Sequence, residues 1–419
     1  MNTQVQLHEV VDSPRAWLRL AAAFVISTVG NAGMWIPQTV LPMLQEEFGA
    51  TRGGASLPYT ATMLGVGVGT IVMGRLADRL GVFPLLVFAA LALGFGYVVA
   101  GLSESLLQFS LIQGALIAAL GVAVTFAPLL ADVSLWFRRR LGLAVAIAAS
   151  GNYMAGAIWP PIVQRAAEEF GWRGAYFGVA AASVILILPL TLLFRQRLHA
   201  QTAAQAAASG ARGEAVRPLG MTPNALQTLL VVAGLACCIA MSMPQVHIVA
   251  YCSDLGYGAA RGAEMLSLML ALGLVSRLAS GWIADRIGGL RTLFLSSGGQ
   301  MIALLLFLPF DGLGSLYAIS ALFGLVQGGV VACYAIIVRE HFPAREAATR
   351  VSIAITATIL GMSAGGWLSG VIFDFTGSYG WAFVHGVAWN VLNLAIVGWL
   401  ILREGGWRRG RRVAVAAAA

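Results

Sequence analysis

The chain contains no lysine: all 26 of its basic residues are arginine. This excludes Schiff-base chemistry on a lysine and the P-loop, whose phosphate-binding lysine is obligatory. Charge of either sign is scarce, at 11% of 419 residues, against about a quarter in soluble domains. Cysteine is scarce too. Cys237, Cys238, Cys252 and Cys333 lie in or beside apolar runs without CxxC or Cys/His spacing. They specify neither a disulfide framework nor a zinc site and act as small hydrophobes. The sequence offers no nucleophile–base set, metal cluster or phosphate loop, so no enzyme activity, cofactor or metal is expected. A net charge of +8 could suit nucleic acid, but the arginines come in twos and threes between apolar runs. No nucleic-acid partner is expected from that pattern.

What the sequence has in abundance is apolar length, with 59% of residues hydrophobic. A spanning helix needs about 20 apolar residues, and twelve runs qualify: 17–43, 56–74, 82–102, 107–135, 141–165, 174–194, 225–252, 260–284, 290–310, 313–338, 347–373 and 380–402. The first run follows sixteen polar residues and lacks a small-residue cleavage site, so it reads as an uncleaved span in the lipid bilayer. Trp159-Pro160-Pro161 reads as an end-of-helix break. The longest polar interval, 196–223, is rich in Ala, Gly and Arg and divides the runs into two sets of six. The expectation is an all-α membrane protein: an N-terminal six-helix bundle over 1–195, a cytoplasmic linker over 196–223 and a C-terminal bundle over 224–419.

Arginine placement gives the orientation. With the N-terminus inside, 21 arginines fall at inner ends or tails, four (Arg52, Arg165, Arg173 and Arg261) fall in outer loops, and Arg277 lies within the eighth span. That asymmetry predicts cytoplasmic termini in a bacterial inner (plasma) membrane, and a monomer is expected. The halves also repeat: GRLADRLG at 74–81 returns as GWIADRIG at 281–288, and RLGLAVAIAASGNYMAG at 140–156 returns as RVSIAITATILGMSAGG at 350–366. Parallel repeats with a central site fit an alternating-access transporter; the alternative is a duplicated scaffold. In the turn motif Gly74 is expected to let helices approach, and Asp78 to pair an arginine or a helix N-terminus.

Arg277 is the leading binding candidate on physical grounds. It lies eight residues from Asp285, about 12 Å of helix, near the centre of a hydrocarbon core about 30 Å thick. Its one-turn neighbours, Gly273 and Gly281, offer no acid, and with Ser276 and Ser280 they leave space around the guanidinium. An unpaired buried cation is expensive, and a planar carboxylate can take two parallel hydrogen bonds from arginine. The alternatives for Arg277 are helix carbonyls or Asp132. His247 and Tyr251 share a helix face after Pro244, toward the outer side. His247 is a proton-coupling candidate or a packing residue, and Asp132 is the second proton-coupling candidate. Asn31 and Gln38 share a face of the first helix, where Gly30, Gly33, Trp35, Pro37 and Pro42 interrupt regular structure. Tyr59 with Thr60 and Asn152 with Tyr153 either complete a polar pocket or hydrogen-bond between helices.

The two GRLADRLG-like turns resemble the loop motif between the second and third helices of the major facilitator superfamily. The resemblance implies that fold and a latching role on the cytoplasmic side for Asp78, Arg79, Asp285 and Arg286. Within the superfamily, the segments at 136–163, 171–177, 246–260, 273–288 and 364–383 resemble the bacterial monocarboxylate and oxalate/formate antiporter branch. The resemblance implies that Arg277, in GLVSR, binds the substrate carboxylate. Gly273 stands where animal carriers have an acid, and no lysine occupies the first or eleventh helix. The expected function is transport of a small organic monocarboxylate, coupled to a proton or exchanged for a counter-anion. The alternatives are a carrier or exporter of another solute or drug, and a membrane sensor or scaffold without flux.

Overall fold

The structure, a computed structural model, describes residues 11–137, 140–196 and 218–405. Most of the expected linker lies outside the described residues, as do Arg138, Arg139, Arg197, Arg212, Arg217, Arg408, Arg409, Arg411 and Arg412. Among the described residues there is no strand, and eleven helices are long and apolar enough to cross a membrane. One of these, Leu143–Phe194, has 52 residues where a crossing needs about 20, and it turns at Gly171 (φ 71°, ψ 163°). It therefore makes two crossings, which raises the number to twelve. The crossings are α1 (Pro14–Phe48), α2 (Arg52–Ala77), α3 (Val82–Gly101), α4 (Leu106–Leu135), α5 (143–170), α6 (172–194), α7 (Pro223–Asp254), α8 (Ala259–Ile287), α9 (Gly289–Leu306), α10 (Leu313–His341), α11 (Thr349–Thr376) and α12 (Tyr379–Arg403).

The break expected at Trp159-Pro160-Pro161 is not there. Pro160 and Pro161 sit inside the helix, and the chain turns at Gly171 because glycine adopts a left-handed φ without a side-chain clash. Large apolar side chains such as Phe95 (64% exposed), Ile185 (67%) and Trp381 (63%) face outward, as a hydrocarbon solvent allows. All four cysteines are buried thiols.

Contacts gather the chain into two compact units, one holding Met1–Ala50 and Leu57–Ala208, the other Thr51–Ser56 and Ser209–Ala419. In the first unit, α1 starts on a Ser13 cap with Pro14 next to it. It bends at Asn31 (φ −82°, ψ 3°) and ends on Gly49 at φ 57°. The fourth helix is irregular: Gln113–Val122 is π-helical, and Phe126 (φ −116°, ψ −80°) separates it from Ala127–Leu135. In the second unit α10 is interrupted in the corresponding place, where Gly328–Gly329 separate Leu313–Gln327 from Val330–His341. The core of the second unit packs Cys237, Leu290, Leu293, Cys333, Tyr334 and Val397.

Both interrupted helices are crossed at backbone contact. A Cβ on Gly65 of α2 would lie 2.1 Å from the Gly114 oxygen of α4, and one on Gly328 of α10 would lie 1.9 Å from the Gly273 oxygen of α8. Small residues permit such close crossings in membranes. Gly74 departs from expectation, since a Cβ there would meet nothing within 4 Å, as at Gly281. Gly65→Ala is therefore expected to destabilise the protein by about 1–3 kcal/mol through overpacking. Gly281→Ala should be neutral or gain up to about 1 kcal/mol from helix propensity. Thermal melts of the two variants in one detergent check the contrast.

Candidate functional site

Arg277 sits half-buried in α8, between Ser276 (3% exposed) and the nearby Ser280 (5%). Its Nε donates to the Gly328 carbonyl at 3.4 Å. Gly328 belongs to the interruption of α10, so the guanidinium meets that helix where its backbone is irregular. Of the alternatives raised for Arg277, the carbonyl contact is present. Both Asp132 oxygens accept from Arg19, from Nε and Nη2 at 2.8 Å each.

The sequence reading counts Arg19 among the 21 arginines at inner ends or tails, and the structure buries it in this pair. Arg19 is 3% exposed. Its Nη1 donates to the Leu193 carbonyl at 2.7 Å, and its guanidinium lies over the rings of Trp136 and Phe194, 4.3 and 4.4 Å from their centroids. Arg52 and Arg291, also counted as loop charges, are likewise buried at 6% and 4% exposure. Arg19, Arg52 and Arg291 are therefore sequestered arginines held by carboxylates.

Arg52 organises the end of the second unit where α7 meets α8. Its Nη2 donates to both Asp254 oxygens at 2.9 Å. The backbone N–H groups of Arg52 and Gly53 donate to the Asp374 carboxylate at 2.6 and 2.8 Å. The guanidinium also lies 4.9 Å from the centre of the Phe373 ring and 5.8 Å from that of Tyr379. His247 and Tyr251 join this cluster. His247 Nε2 donates to the Gly366 carbonyl at 2.8 Å, so in the neutral ring Nδ1 accepts from the Tyr379 hydroxyl at 3.1 Å. Tyr251 meets Tyr379 edge-on, with centroids 5.5 Å apart. The pair predicted to share a face does so, around Tyr379.

The polar candidates of the first unit lie on α1, α2 and α5. The Asn31 amide donates to Ser27 O at 2.7 Å, and Gln38 donates to Met34 O at 2.9 Å. The Trp35 indole donates to Asn152 Oδ1 at 3.2 Å. Tyr59 and Tyr153 are buried at 1% and 8% exposure. Sequence reading passed over Gln245 and Gln327 in the second unit, whose buried amides bond to each other at 2.7 Å. The one signal available was position: Gln245 follows Pro244, and Gln327 precedes Gly328-Gly329.

The repeated turn motif has a shared geometry. Gly81 and Gly288, the last residues of its two copies, both take φ 85°, and each donates its N–H to a carbonyl four residues back at 2.8 Å. That is why both copies end in glycine. Arg79, Asp285 and Arg286 are exposed, and Arg286 lies 3.5 Å over the Trp282 ring. The side chain of Asp78 lies outside the described residues. Beside the second copy, the Gly289 N–H donates to Glu340 at 3.0 and 3.1 Å. There Glu404 pairs with Arg291 at 2.8 Å and meets His341 at 3.6 Å.

His341 first, and then Arg291, hold the Glu404 carboxyl below the usual carboxylate range against the opposing effect of burial. A carboxylate with a depressed folded pKa adds stability above its unfolded pKa of about 4.3. That stability is lost as pH falls through the folded value. Glu404 is 30% exposed, so screening keeps the contribution below about 1 kcal/mol. Thermal melts of wild type and Glu404→Gln should differ by about one to four degrees near neutral pH and converge as the pH falls below 4.

Residues 23–349 match the Major Facilitator Superfamily. The chain is 26% identical to monocarboxylate transporter 13 of Rattus norvegicus over 399 residues, covering 90% of this chain and 86% of that protein. It is 28% identical to monocarboxylate transporter 11 of Mus musculus, covering 89% and 84%. It is also 26% identical to the agnestins efflux protein AgnL12 of Paecilomyces divaricatus, covering 76% and 72%. Among solved structures, a mutant of the nucleoside transporter NupG superposes with a TM-score of 0.72 at 12% identity, covering 91% of this chain and 99% of that one. A POT family transporter in complex with 5-aminolevulinic acid does so at 0.70 and 10%, covering 91% and 95%. At such identities these structures share the fold. Twelve crossings, a turn repeated in both halves and a match over most of the length agree: the chain belongs to the Major Facilitator Superfamily and is a multi-pass membrane transporter, not an enzyme.

Proposed function

We propose that the protein is a secondary active transporter that carries a small organic monocarboxylate by alternating access, with Arg277 holding the carboxylate. The observation that carries this is the position of Arg277 at mid-helix, its guanidinium against the interrupted backbone of α10. Irregular backbone at membrane depth is tolerated where it is buried in protein or lines a cavity, and transporter sites lie at such helices near the midplane. A carboxylate offers the guanidinium fork two parallel acceptors where Gly328 offers one carbonyl. Similarity to proteins named monocarboxylate transporters supports the same cargo class.

In this reading Asn31, Tyr59, Asn152 and Tyr153 supply polar contacts from the first unit. His247 with Tyr251, and Asp132, are the groups through which a coupled proton would pass; exchange for a second anion is the other way to complete the cycle. Asp78, Arg79, Asp285, Arg286 and Gly74 belong to the latch. The bundles span 1–195 and 224–419, joined by 196–223. The arginine asymmetry supports cytoplasmic termini; a bacterial inner membrane and a monomeric working unit complete the reading. Export of another solute is the second reading, favoured by similarity to the fungal efflux protein. The test is flux in proteoliposomes: a panel of short carboxylates and their uncharged amides, with wild type and Arg277→Gln. Transport of amides and acids alike, unaffected by the substitution, would favour the second reading.

A further inference from the structure

The amides of Gln245 and Gln327 are enclosed, at 2% and 0% exposure. They share one hydrogen bond, Gln245 Nε2 donating to Gln327 Oε1 at 2.7 Å. Among the described residues, Gln245 Oε1 and Gln327 Nε2 have no hydrogen-bond partner. Turning both amides over exchanges the roles and leaves the same surplus, one carbonyl oxygen and one NH2. Buried amide groups are ordinarily satisfied, and leaving both a donor and an acceptor unmet is costly. An apolar pair would tie α7 to α10 without that cost. This pair leaves both a donor and an acceptor open at one contact.

Gln245 follows a proline inside a continuous helix, and Gln327 stands at an interruption of its helix. Pro244, immediately before Gln245, cannot donate a backbone N–H to its helix. Gln327 is the last residue before the Gly328–Gly329 break, and Gly328 is the residue whose carbonyl meets Arg277. Irregular backbone within a membrane span is tolerated where it is buried in protein or lines a cavity.

We infer that Gln245 and Gln327 are specificity-determining residues that take a hydroxyl on the cargo, at a carbon away from the carboxylate. The hydroxyl donates to the surplus amide oxygen and accepts from the surplus NH2. It is a small neutral group that satisfies both at once, since it has one donor hydrogen and acceptor lone pairs. The inference rests on Arg277 as the anion site: the charge fixes one end of the cargo, and the amide pair reads the other. Enclosed hydrogen-bonding groups discriminate strongly against analogues that cannot meet them.

The experiment compares proteoliposome uptake of butyrate, 3-hydroxybutyrate and 4-hydroxybutyrate. Wild type should prefer one hydroxy acid over butyrate by at least about 10-fold in kcat/KM. Gln245→Leu, Gln327→Leu and the double substitution should each reduce that ratio to about one while leaving butyrate within about threefold. The double variant should lose no more selectivity than either single, because both amides serve one hydroxyl. An unchanged ratio in variants that still carry butyrate overturns the inference and leaves the pair as a tie between α7 and α10. Should the variants fail to fold, the wild type decides, since the absence of any hydroxy-acid preference overturns the inference equally. Arg277→Gln separates the two proposals: it should slow all three acids alike, and if it slows none, the anion site itself is misplaced whatever the ratio.

Discussion

Arg277→Gln is expected to lower kcat/KM for short carboxylates at least about 100-fold, a loss of about 2.7 kcal/mol. Removing one partner of a desolvated, hydrogen-bonded charge pair costs about 2–5 kcal/mol, and glutamine keeps the length and a donor but not the charge or the planar fork. Arg277→Lys should recover part of the loss, because an ammonium restores the charge without the bidentate geometry. The substitution should not unfold the protein. The side chain is half-buried, so the melting temperature should change little. The measurement is initial uptake against substrate concentration, paired with a thermal melt of the same preparation. Unchanged kcat/KM with Arg277→Gln would remove Arg277 from the site.

The second large effect is expected at the Arg19–Asp132 pair. Asp132→Leu leaves the guanidinium of Arg19 enclosed by Trp136 and Phe194 with its two carboxylate bonds gone. Breaking a buried pair from one side costs about 3–5 kcal/mol. The double variant Arg19→Met/Asp132→Leu should recover most of that loss, since an apolar pair of similar volume carries no desolvation penalty. Thermal melts of the two singles and the double complete the cycle. Because Asp132 is also a proton-coupling candidate, uptake against external pH should be recorded for the double variant. A retained pH dependence would leave His247 as the remaining candidate.

The twelve crossings were legible because each is an uninterrupted apolar run, and the repeat because Gly81 and Gly288 must take the same positive φ to end their helices. Gly74, by contrast, was assigned a close approach that the backbone does not make. The sequestered arginines were not legible. Arg19 finds its acid 113 residues away and Arg52 finds Asp254 202 residues away, so local composition cannot separate a solvated arginine from a paired one. Gln245 and Gln327 stand 82 residues apart and carry no charge to mark them. The π-helical stretch of α4 was invisible for another reason: Gln113–Val122 is almost wholly apolar, and a change of hydrogen-bond register leaves no trace in such a composition. The helix on which Arg277 lies could be read, but the broken backbone facing it could not.

The Thr51–Ser56 segment, gathered with the second unit, also sets an order of assembly. Arg52 is joined to Asp374 across 322 residues, and at about 5–20 residues per second a ribosome makes the arginine roughly 16 to 64 seconds before its acceptor. During that time α1 and α2 can insert and pack locally, and Asp254, 202 residues on, is made before Asp374. The full contact therefore forms only once residue 374 has been made. A chain stalled before residue 374 has its early helices but lacks this acceptor, which makes the complete Arg52 clasp a late product of synthesis.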